Sequence, residues 1–168
     1  MSTYTPQRYV TGHSPTGLSA ITSSGPIAFV PAGKSGSSMA VPWETSFPAA
    51  CEGHDTERDG AAAPLHAEHG TTGRVVTLAA GASAPMHRTS TVDYVVVLAG
   101  SVTLQLEDGE ADLHAGDVAI QRRTLHAWHN RSDKPATFFA VMVSASLPVV
   151  AGGQLGAELP DAWRNSSM

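Results

Sequence analysis

Interruption is the feature that most constrains this chain. From residue 71 to 146, short runs of β-forming residues follow one another, and a turn signal closes each after roughly 8–12 residues. Arg74-Val-Val-Thr-Leu78 is a strand candidate, and Gly81 to Pro85 a turn. Asp93-Tyr-Val-Val-Val-Leu98 is a strongly apolar strand ended by Gly100. Ser101-Val-Thr-Leu-Gln-Leu106 alternates cleanly into a hairpin turn at Glu107-Asp-Gly109. Short strands follow at Asp112–His114, Val118–Gln121 and His126–Trp128, and a longer one at Ala136–Val143. The 16 glycines and 11 prolines spread along the chain, together with the short apolar runs, argue against long helices and for many turns. The expectation is an all-β sandwich or barrel.

Residues 1–70, rich in Gly, Pro, Ser and Ala, read as an N-terminal extension packing on the barrel core of 71–146. Within the extension, Gly25-Pro-Ile-Ala-Phe-Val-Pro31 reads as a short strand and Lys34 to Ser38 as a loop. Met39 to Glu44 reads as another extended piece, and His54 to Glu68 as a loop or short helix. Residues 147–168 form a C-terminal tail with one helical turn near Asp161-Ala-Trp163.

At 168 residues the chain is one domain of ordinary size. A net charge of −5, with no basic cluster beyond Arg122-Arg123, argues against nucleic acid as a partner. No apolar run approaches membrane-spanning length, and the start lacks the regions of a signal peptide, so the expected location is cytoplasmic. Cys51 is alone and cannot form an internal disulfide.

Side-chain parity points to a site. His87, Thr89, Thr91 and Asp93 share a phase with Val95 and Val97, so in extended chain they share the interior face. An imidazole and a carboxylate there are costly unless paired or ligated. His126 and Trp128 share a phase on another strand, which a barrel brings opposite His87 and Asp93. Against this stands the ordinary reading of a histidine in a β-protein as a surface or hydrogen-bonded residue. That reading holds for His13, His54, His66, His69 and His114. Trp128 also reads as a core aromatic, Thr89 as a β-former, and Arg88 as surface charge. Tyr94 has the opposite phase to Asp93 and so tends to face outward.

The spacing resembles the cupin superfamily. Gly81-Ala-Ser-Ala-Pro-Met-His87-Arg-Thr89, followed by Asp93 and Gly100, is similar to its first motif. Gly116-Asp-Val-Ala-Ile-Gln-Arg-Arg-Thr-Leu-His126-Ala-Trp-His-Asn130 is similar to its second. Arg8-Tyr-Val-Thr-Gly-His13 resembles the start of a bacterial and fungal subgroup of small cupins. The resemblance implies a jelly-roll barrel, commonly paired as a homodimer. It also implies a metal site of three histidines and a glutamate. Here Thr89 replaces one histidine, Asp93 replaces the glutamate, and Arg123 stands at the turn glycine. The remaining set, His87, Asp93 and His126, suits a divalent metal (Zn, Mn or Fe) with open positions, or a metal-free acid–base cluster.

Three functions follow. The first is a lyase, a decarboxylase or dehydratase, acting on a small carbonyl- or polyketide-like acid. In it His126 is the key acid or base beside His87 and Asp93. Arg122 or Arg88 binds the substrate carboxylate, and Trp128, Thr89 and Tyr94 line the pocket. The second is an Fe-dependent dioxygenase on the same ligands. The third is a non-catalytic small-molecule binding module.

Overall fold

The computed structural model describes residues 6–47 and 67–145. The expectations for Asp161–Trp163, Cys51, His54 and His66 lie outside the described residues, as does nearly all of His54–Glu68. Among the described residues there is no helix, and hence none long and apolar enough to cross a membrane.

The described residues form twelve strands: β1 (Gln7–His13), β2 (Ser19–Pro26), β3 (Val30–Ala32), β4 (Ser37–Ser46), β5 (Gly70–Leu78), β6 (Ser83–His87), β7 (Thr91–Ala99), β8 (Ser101–Leu106), β9 (Glu110–His114), β10 (Val118–Arg122), β11 (His126–His129) and β12 (Ala136–Ser144). A six-stranded sheet has the order β10-β7-β12-β5-β4-β3, and a four-stranded sheet the order β6-β11-β8-β9. Every pairing is antiparallel. This is the all-β barrel that the interrupted, alternating sequence predicts.

Alternation decides the core. Val95 and Val97 on β7, Phe138, Ala140 and Met142 on β12, and Leu78 on β5 pack with Val102, Leu113 and Trp128 of the smaller sheet. Burying a Val, Leu or Phe side chain contributes about 1.5–3 kcal/mol, so this shared interior is what holds the sheets together. Gly100 joins β7 to β8 at φ 73°, and a Cβ there would lie 3.0 Å from Ala136, so the turn needs both the left-handed conformation and the missing side chain.

The early segment departs from its expected boundaries. β4 is an internal strand of the six-stranded sheet, so residues 37–46 are part of the barrel wall rather than a cover on it. Residues 27–29, expected inside a strand, form the connection between β2 and β3. Ser83 to Pro85, expected in a turn, open β6. Pro85 is tolerated because β6 is an edge strand, where a missing N–H breaks no ladder. β1 and β2 make a separate hairpin whose Tyr9, Leu18 and Ile21 are exposed.

Candidate functional site

Register brings the two histidines together. His126 pairs directly with His87 between β11 and β6, and their ring centroids stand 4.3 Å apart. Each ring is fixed by its own backbone. His87 Nδ1 lies 2.8 Å from the Pro85 carbonyl and His126 Nδ1 2.9 Å from the Thr124 carbonyl. A carbonyl only accepts, so each Nδ1 carries the proton and each neutral ring keeps its lone pair on Nε2. Burial, and then the neighbouring His87, push His126 down to about 4. Burial also lowers His87, with Arg74 adding to the effect against the Pro85 hydrogen bond and Asp93. At neutral pH both imidazoles are therefore uncharged bases.

Asp93 is buried on β7, as its phase requires. Its surroundings differ from those expected. Thr91 donates to Thr89 at 2.8 Å, and Thr89 donates to Asp93 Oδ2 at 3.4 Å. Asp93 also acts electrostatically on Arg74 and His87. The expected metal set of His87, Asp93 and His126 is not assembled. Among the described residues no three His, Cys, Asp or Glu side chains form a group able to hold a metal ion. The histidine pair has the backbone-anchored form of metal ligands. Asp93 Oδ2 accepts from Thr89, and the Asp93 charge acts on Arg74. The residues present do not fit a three-ligand site.

Several side chains foreseen as substrate-binding face elsewhere. Tyr94 is 50% exposed on the outer face of β7. Arg122 is exposed on β10, opposite in phase to the buried Gln121. Arg88 is half-buried in the connection after β6. Trp128 belongs both to the core and to the site: it stacks on Phe138 at 4.9 Å and meets the His126 ring edge-on at 6.2 Å.

Three polar residues escaped sequence reasoning. Arg74 is the one fully buried cation among the described residues, 5% exposed on the inner face of β5. Burial lowers it to about 10 while Asp93 and Glu44 oppose the shift, so it stays charged at neutral pH. Its Nη1 lies 3.6 Å from Met39 Sδ. Glu44, buried on β4, accepts from Thr72 at 3.3 Å. Gln121 is buried on β10, and its Nε2 has no hydrogen-bond partner. Arg74 shares a phase with Val76 and Leu78, a signal available in the sequence.

Residues 74–142 match the Cupin_2 family, the cupin domain. Over 159 residues the chain is 33% identical to phomopsin biosynthesis cluster protein D of Diaporthe leptostromiformis, covering 90% of this chain and 84% of that one. It is 31% identical to the cupin-domain-containing oxidoreductase srdB of Neurospora crassa, covering 92% and 81%. The chain belongs to the cupin family. This cupin is also similar to the crystal structure of a Cupin 2 conserved barrel domain protein from Salinispora arenicola, at 22% identity and a TM-score of 0.43, over 54% of this chain and 71% of that one. Within the family pattern, Arg123 itself takes the left-handed φ of 58° at the position of the turn glycine. Asn130, the last residue of the second motif, serves structure: its amide donates to the carbonyls of Leu78, Ala79 and Lys134.

Proposed function

We propose that this cupin is a small-molecule lyase acting beside a carbonyl group, with the His87–His126 pair as its proton-transfer device. The observation that carries the reading is the pair itself: two neutral imidazoles 4.3 Å apart, each with Nδ1 committed to a backbone carbonyl. Two positive charges at that separation repel, so the pair takes up at most one proton beyond the two already on Nδ1. This suits elimination. One Nε2 takes the proton from the carbon next to the carbonyl, the carbon–carbon double bond forms, and the carbon–oxygen bond to the leaving hydroxyl breaks. The same proton then goes to the departing oxygen, and water leaves. Negative charge developing on the carbonyl oxygen raises the basicity of the pair during the step. Arg74, near enough to depress His87, adds a fixed positive charge to the interior. Asp93, ordered by Thr89, offsets that charge and biases His87 toward accepting the proton.

The test is carbon-bound proton exchange. β-Hydroxy ketones incubated with the protein in D2O are expected to lose their α-proton signal in NMR spectra. His126→Ala should slow the exchange by about 10²–10⁴-fold, the usual contribution of a general base. Equal exchange by wild type and variant would remove the reading. A second reading, redox chemistry, is favoured by the word oxidoreductase in the name of the Neurospora crassa relative. Oxygen consumption stoichiometric with product would promote it.

A further inference from the structure

The inward residues of the large sheet form a row near the histidines that is polar except for Met142. Register aligns Gln121 of β10 with Asp93 of β7, Asp93 with Met142 of β12, Met142 with Thr72 of β5, and Thr72 with Glu44 of β4. All five are buried. Arg74 faces the same interior two residues along β5 from Thr72, where its cross-strand neighbour on β12 is the small Ala140. One cation thus stands near two carboxylates, and both act on it as anions. Asp93 and Glu44 are the fully buried carboxylates among the described residues, and Arg74 the fully buried cation. Arg122 is on the outer face, Arg88 is half-buried in a connection, and Arg123 donates to the Ala145 carbonyl.

We infer that the barrel selects an uncharged ligand, a neutral aromatic or conjugated carbonyl compound, and rejects the corresponding carboxylate. The inference rests on the barrel interior being the site proposed above, and it narrows that reading to dehydration over decarboxylation. The physical reason is charge. Arg74 is already balanced by two anions, and the histidines are neutral. A carboxylate would enter as a third negative charge in a low-dielectric interior whose one fully buried cation among the described residues already faces two carboxylates. A neutral carbonyl oxygen needs only a donor, and the buried Gln121 Nε2 lacks an acceptor. The aromatic preference follows from the Trp128–Phe138 stack beside His126.

Cinnamamide and cinnamate form a matched probe pair, equal in shape and differing in charge. Titration calorimetry at pH 7 is expected to show cinnamamide binding at least tenfold more tightly. In Glu44→Gln, which removes one of the two anions, the gap should shrink. Cinnamate binding as tightly as the amide to the wild type, or no amide binding at millimolar concentration, overturns the inference. If the variant fails to fold, the wild-type comparison alone decides. An amide preference without α-proton exchange would sink the lyase reading and leave this one standing. Exchange accompanied by a cinnamate preference would do the reverse.

Discussion

His126 shows how a single buried imidazole ties stability to pH. In the unfolded chain its pKa is about 6.5; in the fold it is about 4. The native state therefore binds the proton less readily than the unfolded state. Its contribution is complete above the unfolded value and is lost as pH falls from about 6.5 toward 4. His87 is shifted in the same direction. Denaturation by urea should show the protein about 2 kcal/mol less stable at pH 5 than at pH 7 from His126 alone. His126→Gln should flatten that dependence; an unchanged slope would mean that His126 is not the group responsible. At this same scale the sequence was most readable where phase was unbroken. His87 and Asp93 carry the parity of Val95 and Val97, and the structure buries Asp93 with both valines on the inner face. Arg122 was misread because one-residue alternation places it opposite Gln121. The pairing of Asp93 with Thr89 was not legible, since it depends on side-chain reach within the barrel.

At the scale of elements, strand existence was legible and register was not. From β7 through β12 the strands follow the turn signals closely, because one buried face enforces alternation. Glu44 escaped notice for a local reason: β4 slips its register against β5 between Ala40 and Trp43. A bulge changes which residues face inward, so no phase counted from Met39 reaches Glu44 correctly. A second irregularity separates His126 from Trp128 on β11, opposite β6. The connection between β11 and β12 is held by Asn130, which spans three carbonyls on two segments and also accepts from Ser132. Asn130→Ala would strand buried acceptors at that end of the barrel. It is expected to cost about 3 kcal/mol in urea denaturation, while leaving the His87–His126 contact in place. A loss below about 0.5 kcal/mol would show that water replaces the amide at little cost.

At the scale of the whole molecule, the outward face of the large sheet carries a second message. Val118 aligns with Val96 and Phe139 across β10, β7 and β12, and Ile120 aligns with Tyr94 and Val141. Val118, Ile120, Tyr94 and Leu98 are each at least half exposed. Among the described residues of these three strands, charge enters this face toward its margin, at Arg122 beside Val92. Two copies related by a twofold axis would meet here apolar against apolar, without like charges in the middle. The β1–β2 hairpin exposes a further apolar group, and a lone two-stranded hairpin is marginal in water. A homodimer is the expected assembly. If that face is shared, folding and association become one equilibrium, and dilution acts as a denaturant. The melting temperature should climb with each tenfold rise in protein concentration, and Tyr94→Lys should abolish the climb while leaving the spectrum of the β fold unchanged. A melting temperature independent of concentration, with a monomer mass by light scattering, would return the patch to solvent. With that face shared between two copies, the protein's abundance in its compartment would become a determinant of how much of it is folded.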